Sequence, residues 1–174
     1  MIKSDNISDY KKHTADPDHK SDNRNATTNS DTRLENRKLR LAILGAGGIA
    51  HKMAKTVNRM EEVVLYAVAS RTEEKARQFA DTYHASKWYG SYEEMVADDG
   101  IDLVYVATPH SHHKEHTMLC LNHNRAVLCE KAFAVNTKEA EDMIRLAKEK
   151  NILLAEAMWV RYMPMLSLIH ISEP

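Results

Sequence analysis

Five short segments of this sequence hold residue types that could bind or transform a ligand. The first is Gly45-Ala46-Gly47-Gly48-Ile49-Ala50, a G-x-G-x-x-A string. Gly45 permits a sharp turn off a strand, Gly47 lets the backbone approach a pyrophosphate, and Ala50 keeps the next helix close against a sheet. The free N–H groups at the start of that helix favour an anion. The string follows an apolar run and opens a helical pattern, which is the context that gives it meaning. With Gly48 and Ile49 it forms a candidate dinucleotide loop.

The second segment lies just past the next apolar run. A site for NAD carries an Asp or Glu there, about 20 residues beyond the glycines, to hold the ribose 2′-hydroxyl. This chain has Ser70 and Arg71 instead, with Lys75 a turn later. A carboxylate would repel a 2′-phosphate, whereas a guanidinium pairs with it through two parallel hydrogen bonds. The expected cofactor is NADP(H), with NAD(H) left open.

The remaining three segments each follow an apolar run. Thr108-Pro109-His110-Ser111-His112-His113, with His116 one turn on, places four His within seven residues. Zinc needs a defined tetrahedral set with a distant further ligand, and neither H-E-x-x-H nor paired C-x-x-C is present. The segment is therefore read as a loop and helix start lining a cofactor cleft, with no metal. Glu130-Lys131-Ala132 offers a Lys that could hydrogen-bond a substrate oxygen and stabilise charge developing on it. Glu156-Ala157-Met158-Trp159-Val160-Arg161-Tyr162-Met163-Pro164 offers Trp159 and Arg161, which could stack on and pair with a nucleotide.

What could place these segments side by side is a repeated strand–helix pattern. Short apolar runs, read as strands, occupy 39–45, 63–70, 86–89, 102–107, 126–130 and 152–156. Helical patterns lie between them. One, over 48–60, has Ile49, Met53, Val57 and Met60 on a single face, and another, after Asn136, has Ala140, Met143, Ile144 and Ala147. Ser91 with Glu94, and Asn136 with Glu139, match capping boxes. Such runs alternating with helices predict an α/β fold, a Rossmann-type doubly wound parallel sheet of about six strands.

Bulk properties narrow the classes. Among 174 residues the formal net charge is −1, which gives no electrostatic reason for a nucleic-acid or membrane partner. No apolar run reaches the roughly 18 residues a span needs, and the first residues lack a signal-peptide core. Two Cys, Cys120 and Cys129, fit neither a disulfide framework nor a zinc knuckle, and are read as reduced thiols of a cytoplasmic protein. Only seven of residues 1–38 are hydrophobic, so this stretch is expected to be a disordered polar extension. Residues 39–164 form the expected dinucleotide-binding domain, and 165–174 a truncated or non-native tail.

Taken in order, the five segments resemble the glucose–fructose oxidoreductase/inositol dehydrogenase family (Gfo/Idh/MocA), from about Lys38 to Pro164. The stretch 156–164 resembles the subgroup with dihydrodiol dehydrogenase and glucose–fructose oxidoreductase. The resemblance implies that Gly45, Gly47, Gly48, Ile49 and Ala50 hold the dinucleotide, and that Ser70, Arg71 and Lys75 surround the adenosine ribose. It implies that Thr108, Pro109 and His113 sit beside the cofactor, and that Glu130 and Lys131 match an E-K-P motif with Lys131 at the reacting carbon. Trp159 and Arg161 match further cofactor contacts. Ala132 departs from that motif's Pro, which frees φ and adds a donor.

The implied activity is hydride transfer between NADP(H) and a secondary alcohol or carbonyl of a sugar, polyol or trans-dihydrodiol, in a homo-oligomeric parent protein. The family continues into a second α/β domain with an Asp and a His as acid/base groups, so this chain is expected to be a cofactor half. The other reading left open is a non-catalytic NADP(H)-binding module or regulator. Retention of Glu130 and Lys131 favours the enzyme, since a sensor needs no group at the reacting carbon.

Overall fold

The computed structural model describes residues 37–158. Six parallel strands form one sheet: β1 (Leu39–Leu44), β2 (Val63–Ala69), β3 (Lys87–Tyr89), β4 (Leu103–Val106), β5 (Ala126–Glu130) and β6 (Leu154–Ala157). Five helices connect them: α1 (Gly48–Val57), α2 (Glu73–Tyr83), α3 (Tyr92–Val96), α4 (His113–Asn122) and α5 (Thr137–Glu149). A 3-10 turn over His110–His112 precedes α4. The strand order is β3-β2-β1-β4-β5-β6, the doubly wound arrangement that reverses direction between β1 and β4. Among the described residues no helix is long and apolar enough to cross a membrane.

The period of two along each strand divides the core. Leu41, Ile43, Leu65, Val68 and Tyr105 pack with α1 and α2 residues such as Ala54 and Phe79. Ala42, Leu44, Val104, Val106 and Val127 face the other way, against Met95, Val96, Leu121 and Ala147 of α3, α4 and α5. Parallel strands joined through helices follow right-handed crossovers, so both faces are covered and the strands read as continuous apolar runs.

Two helix faces match the expectation in part. The buried residues of α1 are Ala50, Ala54 and Val57, while Ile49 and Met60 are 39% and 43% exposed. Val57 is buried as expected and Met53 packs partly buried against the same core, so the face is shared with the small Ala50 and Ala54 while Ile49 and Met60 turn outward. In α5, Met143 and Ala147 are buried but Ile144 is exposed, and Leu146 packs on the core instead. Both capping residues act as read: Ser91 Oγ accepts from Glu94 N–H at 3.3 Å, and Asn136 Oδ1 from Glu139 N–H at 2.9 Å.

Ionic ties hold the rims. Arg37, within the stretch expected to be a polar extension, donates two hydrogen bonds of 2.7 Å to the Asp102 carboxylate. Asp98 secures β3, accepting from Lys87 Nζ at 2.8 Å, Tyr89 Oη at 2.6 Å and Gly100 N–H at 2.9 Å. Burial alone would raise its pKa, but the bonds from the Lys87 ammonium and the Tyr89 hydroxyl outweigh it, and the carboxyl sits well below the usual range. A group with a depressed folded pKa adds stability above its unfolded value and loses it as pH falls toward the folded one. Asp98→Asn should therefore cost about 1–2 kcal/mol at pH 7. Its deficit should shrink progressively below about pH 4. Urea melts of both proteins at pH 7 and near pH 3 check this, and an unchanged deficit rejects it.

Candidate functional site

At the carboxyl ends of the strands, where the order reverses, the chain encloses a cleft of about 250 Å³. Such switch points are where ligands bind in open α/β sheets. Its floor is the glycine loop, Gly45 to Gly47. One wall is Ser70 with Arg71 and Lys75, and another is Ala107, Thr108 and Pro109. Tyr92, His112 and His116 complete it.

The glycines divide into two kinds. Gly45 has φ +100, and a Cβ there would stand 2.9 Å from Thr108 Cγ2 and 3.3 Å from the Ala107 carbonyl. The fold itself demands that glycine. A Cβ on Gly47 would meet nothing closer than the Ala107 oxygen at 3.9 Å, and one on Gly48 would meet nothing within 4 Å. Gly47 caps α1 in extended conformation without a side-chain cap bond. Neither glycine is required by packing or backbone angle. Their bare backbone and the open amides of α1 face unoccupied room, which suits a pyrophosphate approaching from outside the chain.

Other expected residues lie around that cleft in different ways. Ala50 is fully buried and packs α1 against the sheet, while Ile49 stands exposed beside the loop. His113 is buried, with Nε2 2.9 Å from the Thr108 carbonyl and Nδ1 2.8 Å from the Ala132 carbonyl, so it bridges the loops after β4 and β5. Glu130 is buried: one oxygen accepts from the Tyr105 hydroxyl and the other from Lys131 N–H at 3.0 Å. Burial and then that carboxylate push the Tyr105 phenol far up, so it stays a donor. The Lys131 side chain is exposed just past β5, and its peptide bond to Ala132 is cis. Lys131, Glu130 and His113 do not line the cleft. Trp159 and Arg161 lie outside the described residues.

His112 and His116 belong to the segment expected to line the cleft, and they do, whereas Tyr92 was not expected there. Nothing near Tyr92 signals a site, since it follows a helix cap. His116 Nδ1 lies 2.9 Å from Thr108 Oγ1, its ring stacks on His112 at 5.6 Å, and Tyr92 meets it edge-on at 4.8 Å. Burial lowers the His116 pKa, which favours the neutral ring. Among the described residues no three His, Cys, Asp or Glu converge as a metal site would need. Burial raises the Cys120 thiol to about 12 and the Cys129 thiol to about 11, which keeps both protonated and inert.

A cleft at a sheet's switch point, floored in part by a glycine that neither packing nor backbone angle requires, suits a dinucleotide. The family model described as "Oxidoreductase family, NAD-binding Rossmann fold", of the Gfo/Idh/MocA group, matches residues 39–158. The chain belongs to this family. It is 41% identical to the scyllo-inositol 2-dehydrogenase (NADP(+)) IolU of Bacillus subtilis, over 72% of this chain and 38% of that protein. It is 38% identical to the trans-1,2-dihydrobenzene-1,2-diol dehydrogenase of Mus musculus, with the same shares covered. A crystal structure of an NAD binding oxidoreductase from Klebsiella pneumoniae superposes with a TM-score of 0.64 at 28% identity, over 69% of this chain and 34% of that one. The chain thus spans well under half the length of the family members it matches.

Proposed function

We propose that this chain is the dinucleotide-binding half of an oxidoreductase that moves a hydride between NADP(H) and a secondary alcohol or carbonyl of a sugar, polyol or trans-dihydrodiol. The observation that carries the reading is the cleft's charge. Ser70, Arg71 and Lys75 line it together with Gly45 and Gly47, and no Asp or Glu is among its described lining residues. A 2′-phosphate meets cations there and no carboxylate. The relatives named for NADP(+), an inositol and a xylose dehydrogenase, support the same choice.

When bound, the dinucleotide supplies or accepts the hydride. The chain's own residues bind, orient and polarise. Gly47 and Gly48 leave room for the pyrophosphate over the amides of α1, and Arg71 and Lys75 hold the adenosine ribose end. Thr108 and Pro109 form the wall beside it. Lys131 donates a hydrogen bond to the substrate oxygen and stabilises the charge that develops there. The proton partner belongs to the second α/β domain that the family resemblance implies. Two buried free thiols fit a cytoplasmic setting.

Calorimetric titration of this chain with NADPH and NADH tests the reading. NADPH is expected to bind roughly tenfold or more tightly, since one charge-assisted contact is worth about 1.5–3 kcal/mol. Equal affinities reject the cofactor choice, and no binding of either rejects the site.

A further inference from the structure

We propose that Glu156 is a positioning residue for Lys131, acting through the Phe133 amide. The proposal rests on the reading of Lys131 as the group that faces the reacting carbon. β5 and β6 pair in parallel with Cys129 opposite Glu156 and Glu130 opposite Ala157, so Glu156 stands beside the turn that leaves β5. Its Oε1 accepts a hydrogen bond from Phe133 N–H at 3.0 Å.

That bond is one of three on consecutive residues. The Lys131 N–H donates to Glu130 Oε2 at 3.0 Å, and the Ala132 carbonyl lies 2.8 Å from His113 Nδ1. The turn is therefore held from its own strand, from α4 and from β6 at once, while the Lys131 side chain projects free of it. Backbone polar groups pinned at successive residues leave the turn little choice of φ and ψ, and that fixes where the Lys131 Cα–Cβ bond points. A donor that is to stabilise charge at a reacting oxygen must be aimed beforehand, and it is aimed by what holds its backbone.

Of the three anchors, Glu156 can be altered most cleanly. His113 is also bonded to the Thr108 carbonyl in the cleft wall, and Glu130 also holds the buried Tyr105 hydroxyl. Glu156 does not line the cleft. Its loss should release Lys131 and leave the dinucleotide's own contacts in place. Glu156→Gln keeps an oxygen that can accept from Phe133 N–H, whereas Glu156→Ala removes the acceptor.

The test uses the full chain and trace acetic anhydride, with acetylation of Lys131 followed by peptide mass spectrometry with and without saturating NADPH. In wild type NADPH should slow that acetylation roughly tenfold, because a well-aimed Lys131 is covered by the bound nucleotide. Glu156→Ala should lose most of this protection while its NADPH Kd moves less than about threefold, and Glu156→Gln should restore it. Full protection in Glu156→Ala, or a defect as large in Glu156→Gln, overturns the proposal.

A second measurement stands apart from nucleotide binding and from the folding of any variant. Hydrogen exchange at the Phe133 amide of wild type, read by NMR, should be slow compared with exposed turn amides. Fast exchange there overturns the clasp even if NADPH binds. Slow exchange without NADPH binding keeps the clasp and rejects the dinucleotide reading.

Discussion

Gly47→Val is expected to abolish dinucleotide binding while the fold survives. Gly47 has φ −93 and ψ −176, extended angles open to valine. The built Cβ position is 3.9 Å from its nearest neighbour, so the new side chain projects into the cleft and not into the protein. What it fills is the room a pyrophosphate needs over the amides of α1. A steric block of the phosphates should cost at least roughly 100-fold in NADPH affinity, about 2.7 kcal/mol. Exchange of a glycine at an N-cap for a residue without a capping side chain should cost stability only about 1 kcal/mol. Gly45→Ala is the contrasting control, since φ +100 and the 2.9 Å approach to Thr108 Cγ2 put its cost in the fold. That variant should lose about 1–3 kcal/mol of stability. Calorimetric titration beside thermal melts separates the two effects. Wild-type affinity in Gly47→Val would mean that phosphates do not lie over this loop.

Arg71→Asp should invert the cofactor preference. Arg71 is exposed at the cleft wall beside Ser70, two residues past β2's end. The substitution removes the guanidinium that would pair with a 2′-phosphate and installs a carboxylate that repels it. The same carboxylate can accept from the two ribose hydroxyls of NADH. Loss of the charge-assisted bonds and gain of the repulsion together should shift the ratio of NADPH to NADH affinity by roughly 100-fold or more. Because Arg71 is open to solvent, the wild-type preference should weaken between about 0.05 and 0.5 M salt, as screening shortens the reach of the charge. The two Kd values at each salt concentration are the measurement. A ratio unmoved by the substitution would assign cofactor choice to some other part of the cleft.

Much of the candidate site is legible because its signals are local. The turn at Gly45, the helix start at Gly47 and Gly48, and the missing acid at Ser70–Arg71 each depend on a few consecutive residues. The strands and their apolar runs are legible for a related reason, since burial on both faces leaves a continuous hydrophobic record in each one. The two strand–helix–strand units around the glycine loop carry their own backbone punctuation.

Tertiary structure decided everything that depends on which elements become neighbours. Periodicity placed Met53 and Val57 on the inner face of α1, where they lie, but the fold adds Ala50 and Ala54 to that face and leaves Ile49 exposed. Tyr92 reaches the cleft because α3 packs beside β2, β3 and α4, and no residue near it in sequence foretells that. His113 reads as a site residue, yet its part as a bridge between two loops exists only once β4 and β5 lie side by side. Glu156 reaches the turn that carries Lys131 because β6 pairs with β5, which brings it to Phe133 across 23 positions of sequence. The sequence by itself determined the α/β class and the glycine loop, since those follow from local backbone preference and hydrophobic period. The surroundings of Lys131 were decided by the fold, because each partner comes from a different strand or helix and contact between them depends on strand order.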